Sequence, residues 1–590
     1  MTTSSAAPRP WLFGATTDLL FGCGLVAALA FGALSVDGDA VRAVLPMAWT
    51  PLLVLLTGIP HYGATLLRVY EHRGDRRRYV VFSGYLTAAL VVAFVAGAYQ
   101  VAVGSWLLTL YLTWSPWHYS GQNYGIALMF LGRRGVRLPP FAKHALQASF
   151  VLSFLLAAVM LHAVDSGVSY APGSYDGTVY QLLRLAPPAG LVAIAMPALG
   201  VAYLATLGIA VHAMLERGGL RQTLPVFALL ASQALWFAVP ALARHTHVLQ
   251  GLEPFGTEHA TYAFLWVAMA HSVQYLWITR YFARARGATS GSAFGAKVLL
   301  SGAAVWVIPA LLFAPGVLGR VPYDAGLALL IASVVNLHHF ILDGAIWKLR
   351  DGPIARALLR GEDEEESTPQ GPAWPSRLVW AAGAASVAVW AFSTIVQASE
   401  LQPALAAADV ERVEHAADRL AWIGQESARV HAALATLHQH HGNDAPAQRH
   451  AERALALHAG VDELFELSTF FHRNRRSADA IASIERALTQ QPGSPRLRHR
   501  LAWLLVVYHR AEPAQAQRAR DLAAAAVTDT AGQNASYLHT YGMALAATGA
   551  LEQALATAEQ ALARAIAADE KGFIDLLRRH RDGYAQALGR

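Results

Sequence analysis

Val334-Val335-Asn336-Leu337-His338-His339-Phe340-Ile341-Leu342-Asp343-Gly344-Ala345-Ile346-Trp347 reads as an apolar helix that carries two adjacent histidines and an aspartate. Such groups are expensive inside a membrane bundle and are kept there for a partner, a proton path or a metal. Three more apolar stretches place a histidine in an aromatic, hydrogen-bonding setting: Pro60-His61-Tyr62, Trp117-His118-Tyr119-Ser120-Gly121-Gln122-Asn123-Tyr124 and Ala270-His271-Ser272-Val273-Gln274-Tyr275. Reading these four stretches as spans decides the fold, and whether their histidines meet decides the chemistry.

Composition agrees with spans. The 590 residues are 55% hydrophobic and only 15% charged, with a mean hydropathy of +0.33, too apolar for an ordinary soluble protein and too long for one domain. The formal net charge is +6. Its basic residues sit in short loops between apolar runs, where the positive-inside rule accounts for them, and no basic patch of the nucleic-acid-binding kinds appears. The single cysteine, Cys23, excludes an intrachain disulfide and a Cys-based zinc site. Asp18 interrupts the apolar stretch before Cys23, so this first segment reads as a retained span instead of a cleaved signal. Arg far outnumbers Lys and Ala abounds, which suits a bacterial inner-membrane protein.

Runs of about 20 apolar residues fall at 15–35, 44–66, 79–99, 104–131, 144–163, 188–211, 224–243, 260–281, 295–317, 325–347 and 378–397. The sequence therefore predicts an all-α fold, a polytopic transmembrane bundle of about eleven spans. Every second loop is basic: Arg73 to Arg78, Arg133 to Lys143, Arg217 and Arg221, Arg280 to Arg286, Lys348 to Arg360. That alternation puts the N-terminus in the cytoplasm, and an odd count sends the C-terminal part to the other side. The expected organisation is a membrane domain over 1–360, an acidic and Pro-rich linker over 361–377, a last span over 378–397 and a helical repeat domain over 398–590. In the loops, His245 and His247 read as incidental and His259 as lying on another level.

Beyond residue 397 the chain becomes amphipathic at helical period. Ala454 and Ala487 stand 33 apart, near the period of stacked helix pairs whose small residues permit close contact. The segment Ala535 to Ala565, with Tyr541-Gly542, Leu545, Gly549, Leu551, Ala554 and Ala561-Leu562, resembles the tetratricopeptide repeat (TPR), and the resemblance extends over about residues 425–566. It implies an α-solenoid that binds a protein or peptide partner on its concave face. His438, His440 and His441 are expected to contact solvent.

The spans also permit a comparison of depth, taking the next basic residue as the cytoplasmic edge. His271 precedes Arg280 by nine residues, His339 precedes Lys348 by nine and His61 precedes Arg68 by seven; Asp18, on a span of opposite direction, follows Arg9 by nine. These four share a level about 10–14 Å from the edge at 1.5 Å per residue. His118 precedes Arg133 by fifteen, so it is expected to lie deeper unless Pro116 and Gly121 distort its helix. His61, His118, His271, His338 and His339 are the candidate metal ligands. Asp18, Gln122, Gln274 and Asp343 are candidate ligands or helpers that fix an imidazole tautomer, since His118 and Gln122, like His339 and Asp343, are four apart on one helix face.

Histidines from several spans, including the His338-His339 pair, resemble the membrane di-iron desaturases and hydroxylases and the carotenoid-cleaving Brp/Blh oxygenases. The close His-x-x-x-His and His-x-x-His-His boxes of the desaturases are absent, so only that pair carries over. The resemblance implies iron, as a di-iron site in the desaturase manner, dioxygen, and a lipid-like substrate that enters from the bilayer into an apolar pocket lined by Trp114, Trp117, Tyr119, Tyr124 and Tyr275. Three alternatives stay open: a b-type haem on facing histidines, a proton-coupled transporter with these residues as its relay, and a scaffold that works through its TPR-like repeats. The catalytic residues and the electron donor are not specified by the sequence.

Overall fold

In long runs of Ala, Leu and Val with no water to bond, the backbone can satisfy its polar groups only within the segment, and helix is the result. A computed structural model describes residues 10–70, 79–163, 179–249, 251–256, 260–285, 291–346 and 373–589. Among the described residues the regular structure is helix, with no strand beyond one isolated bridge. The linker residues 361–372, His259, Lys348 and the loop residues 71–78 lie outside the described residues.

The chain divides into two compact units. The first holds Met1–Tyr175, Tyr180–Ala407 and His415–Gln425; the second holds Ala408–Glu414 and Glu426–Arg590 together with a few residues before Tyr180. The boundary thus falls about ten residues later than composition suggests, because the apolar helix runs on to Ala406.

In the first unit the helices are α1 (Leu25–Val44), α2 (Thr50–Tyr70), α3 (Thr87–Tyr99), α4 (Val101–Arg133), α5 (Pro140–His162), α6 (Ala189–Gln233), α7 (Val239–Thr246), α8 (Ala260–Ala285), α9 (Gly291–Leu312), α10 (Ala328–Ile346) and α11 (Ala373–Ile395). Seven helical stretches are long and apolar enough to cross a membrane, or eight if the bent pair Ala15–Gly22 and Leu25–Val44 forms one span. These mark a membrane protein. The difference from eleven has physical causes. Two expected spans, 188–211 and 224–243, lie in one continuous 58-residue stretch, broken only where Gly219 takes a positive φ of 64°. Two more, α4 and α8, are not among the seven because they carry His118, Gln122 and Asn123, and His271, Ser272 and Gln274.

What places the histidines is close packing. Helix α2 lies against α9 with two glycines in the contact. A Cβ on Gly63 would stand 1.8 Å from the Val298 carbonyl oxygen, and one on Gly302 2.1 Å from the Ile59 carbonyl oxygen. Only glycine permits backbones to approach so closely, and His61 sits between those two contacts. Helix α8 packs on α2, while α10 packs on both α2 and α4.

In the second unit, after α12 (Val410–Trp422) at its border, come four helix pairs: α13 (Ala428–His440) with α14 (Asp444–Ala456), α15 (Val461–Arg473) with α16 (Ser477–Gln490), α17 (Pro495–His509) with α18 (Pro513–Asp529), and α19 (Ala535–Ala547) with α20 (Leu551–Ala567), then α21 (Lys571–Ala587). The side chains of Ser427, Ser494 and Asn534 accept the N–H of Val430, Leu497 and Tyr537, capping three of the helices. Ala447, Ala451, Ala454, Ala480 and Ala487 are fully buried at the contacts, so the small residues do what their spacing predicts.

Candidate metal centre

His61 of α2, His118 of α4, His271 of α8 and His339 of α10 converge. Each offers one ring nitrogen, and these four atoms all lie within 4.8 Å of one another. The rings close a circuit, with centroids 4.1 Å apart for His61 and His339, 4.9 Å for His61 and His271, 5.1 Å for His271 and His118, and 4.9 Å for His118 and His339. His61, His271 and His339 are each at most 2% exposed. Five of their nitrogens are buried without a hydrogen-bond partner: Nε2 of His61, His118 and His339, and both nitrogens of His271.

Asp343 completes the group. One carboxylate oxygen, Oδ2, lies 3.4 Å from His339 Nε2 and 3.8 Å from His118 Nε2. The other accepts the Tyr275 hydroxyl at 2.7 Å and the Thr65 hydroxyl at 3.2 Å. Thr65 Oγ1 is also 2.8 Å from His339 Nδ1. Thr65 Oγ1 lies 2.7 Å from the Tyr275 hydroxyl as well; where its own hydrogen goes to Asp343 or Tyr275, Thr65 accepts from His339, the arrangement that puts the proton of that ring on Nδ1 and leaves the Nε2 lone pair facing the centre. The sequence contains no signal for Thr65, a residue common at any helix contact. Tyr119 stacks on the His271 ring with centroids 3.7 Å apart and a tilt of 17°, which fixes a ring whose nitrogens have no other restraint.

Other expected members stand elsewhere. His338, about 100° around the helix from its neighbour, turns to the Thr87 hydroxyl at 2.9 Å and the Tyr70 hydroxyl at 3.4 Å; it does not join the group. Asp18, level with the histidines by count, faces the far side of α8. Its buried carboxylate accepts Leu12 N–H at 2.6 Å, Phe13 N–H at 3.2 Å and Trp277 Nε1–H at 2.9 Å, so it ties the segment before Ala15 to α8. Gln122 and Gln274 do not assist their histidines. They bond one another at 2.6 Å, and Gln274 passes the chain to Asn123 at 2.9 Å and Asn123 to Gln233 at 2.8 Å. This amide network ties α4 to α8 and α6 beside the centre.

His118 joins the ring although α4 runs unbroken through Pro116. The expectation that it lies deeper does not hold: Arg133, fifteen residues on, lies over the Tyr281 ring beside Arg280, level with the edge counted for α8, so residue count along α4 does not measure depth as it does along α8. His245 and His247 stay apart from the centre at the end of α7.

Against this group opens a cavity of about 340 Å3. His118, Tyr275 and Asp343 form its inner end, Phe340 and Met129 its walls, and Trp114 and Trp117, both partly exposed, its outer rim. Gly121, Gly125 and Gly344 line it, and a Cβ on any of them would meet nothing within 4 Å. Tyr124, expected here, is instead beside Phe150. No family model matches this chain, and no curated protein is found similar to it.

Proposed function

We propose that the protein is an integral membrane metalloenzyme, an iron-dependent oxidoreductase that acts on a lipid-like substrate held in the cavity beside the four histidines. The observation that carries the reading is the set of five unpartnered ring nitrogens. A buried polar group without a partner costs on the order of 1–3 kcal/mol, so five in one place approach the whole stability of a typical domain, about 5–15 kcal/mol. An ion that accepts one lone pair from each ring removes that cost for four of the five, all but the second nitrogen of His271.

The donor set suits such an ion. Imidazole nitrogens with one carboxylate fit iron, zinc or copper better than magnesium or calcium. Tetrahedral bonds of 2.0–2.1 Å place ligand atoms about 3.3 Å apart, a small contraction from the present spread. One group of four histidines supports one ion. A second, as in the di-iron families, would need His338, whose ring is engaged with Thr87. Haem is disfavoured because the rings stand in mutual contact and leave no slot for a porphyrin between them. Iron, when bound, supplies the redox chemistry that turns dioxygen on an unactivated hydrocarbon.

The chain's own residues have definable tasks. Thr65 holds His339 in one tautomer, Tyr275 and Thr65 orient Asp343 toward the centre, and the Gln122, Gln274 and Asn123 amides fix the distance between α4 and α8. The apolar cavity excludes water from the inner end and selects a hydrophobic chain. The finer reading of architecture belongs with this proposal: eleven crossings, obtained by counting α4, α8, the bent first pair and both halves of the Gly219 stretch, a cytoplasmic N-terminus, and TPR-like pairs that bind a protein partner beyond the opposite face.

Metal analysis of freshly isolated protein in detergent tests the reading. One equivalent of iron is expected, lost in both His339→Ala and His271→Ala. Wild-type protein without stoichiometric metal would sink it. A reporter active only in the cytoplasm, fused after Arg590, is expected to stay silent.

A further inference from the structure

A second, separate constellation lies in the repeat unit. Glu414, His438 and His450, from three different helices, bring one ligand atom each within 4.8 Å of one another. Glu414 Oε1 is 2.9 Å from His438 Nε2 and 3.5 Å from His450 Nε2. The two imidazoles are parallel, with an 8° tilt and centroids 5.3 Å apart, so both Nε2 atoms address the same carboxylate oxygen. His438, expected at the solvent surface, is 6% exposed.

What lies behind His450 determines what lies in front of it. Arg453 grips Glu426 with both Nε, at 2.7 Å, and Nη2, which keeps that carboxylate ionised and acceptor only. Glu426 Oε1 stands 2.9 Å from His431 Nε2, so this nitrogen must carry the proton. With the ring neutral, His431 Nδ1 is then a lone pair, and it faces His450 Nδ1 at 2.8 Å. His450 must therefore donate from Nδ1, which leaves its Nε2 as a lone pair directed at the carboxylate of Glu414. Two lone pairs at 3.5 Å require a cation between them.

We propose that Glu414, His438 and His450 bind a zinc-class divalent ion, with a fourth position open to water. The separations of 2.9 and 3.5 Å bracket the edge of about 3.3 Å that tetrahedral bonds of 2.0–2.1 Å demand. Arg453, Glu426 and His431 form the carboxylate and histidine chain that commonly stands behind a metal-bound imidazole and fixes its tautomer. The ion joins three helices at the first end of the repeats, and its binding energy adds to their folding.

The test uses the full chain in detergent, with zinc titrated into the His339→Ala variant so that the membrane centre is silent. One equivalent of zinc is expected there. Glu414→Gln and His450→Ala, each on that background, should lose it with helix content unchanged by circular dichroism. His431→Phe, which leaves all three ligands in place and removes only the partner behind His450, should weaken the affinity about 10- to 100-fold. Full zinc uptake in Glu414→Gln and His450→Ala overturns the proposal, and so does no uptake by the His339→Ala protein, since a proton alone then occupies the gap. If His450→Ala does not fold, the half-exposed Glu414 still decides the matter through Glu414→Gln. Iron loss in His339→Ala reports on the membrane centre independently.

Discussion

Thr65→Val is the most informative change at the membrane centre, because valine keeps the shape of threonine and removes only the hydroxyl. In the wild type that oxygen lies 2.8 Å from His339 Nδ1 and 3.2 Å from Asp343 Oδ1. Without it His339 Nδ1–H is buried and unanswered, at a cost of about 1–3 kcal/mol. The ring can recover that cost by moving its proton to Nε2, which withdraws the lone pair from the ion. Either way metal affinity falls by roughly 5- to 150-fold at 1.4 kcal/mol per decade, a span that contains the about 10- to 100-fold typical of outer partners of metal-bound histidine. Competition of detergent-solubilised protein against a chelator of known affinity measures the ratio. Asp343 should retain its bond from Tyr275, so Thr65→Val is expected to keep substoichiometric metal where His339→Ala keeps none. Affinity within threefold of wild type would refute the tautomer assignment, and with it the role of Thr65.

Other expectations follow from packing and charge. Gly302→Ala drives a methyl into the Ile59 backbone and should lower stability by about 1–3 kcal/mol, seen as a lower melting temperature, whereas Gly121→Ala, with open space at its Cβ, should not. Gly125→Leu is expected to fill the cavity, abolishing binding of hydrophobic ligands while leaving metal content intact; unchanged ligand binding would remove the cavity from the mechanism. In the repeats, burial and then the charges of His580 and His499 hold His539 at about 4, and burial and then Arg500 hold His499 at about 4. Both folded values lie below the unfolded value of about 6.5, so the unfolded state binds more protons between them. The stability they contribute, at most about 3 kcal/mol each, is full above pH 6.5 and lost as pH falls toward 4. Hydrogen exchange in α17 and α19, corrected for intrinsic rate, should accelerate from pH 7 to pH 5, and the acceleration should shrink in His539→Phe.

The four histidines were legible because a titratable ring in an apolar helix is costly enough to be conspicuous. Their meeting was half legible: counting to a basic residue placed three of them at one level, but it also placed Asp18 there, on the wrong side of α8. Depth along a helix is written in sequence distance, whereas azimuth depends on which neighbour the helix packs against. The same limit put His338 beside His339 in the sequence and on a different face in the fold. Counting failed for His118 although Arg133 lies beside Tyr281, at the level of Arg280 on α8, because equal residue counts on two differently inclined helices do not mean equal depth. Thr65 could not be found, because a hydroxyl whose importance comes from three long-range partners has no local signature. In the second unit, small residues 33 apart lie at helix contacts as their spacing suggested, yet the relay from Arg453 to Glu414 runs from the α13–α14 pair to α12 and needed coordinates.

The floor of the cavity, made of Gly121, Gly125 and Gly344, sets a direction for its future. A wall built of side chains can be cut back by mutation, but a wall of glycine cannot. Every substitution at these three positions shortens what fits, and none lengthens it. On its glycine side the pocket therefore stands at its upper limit, and variants of this chain can lengthen what fits only by cutting back the large side chains opposite, Met129, Phe340, Trp114 and Trp117.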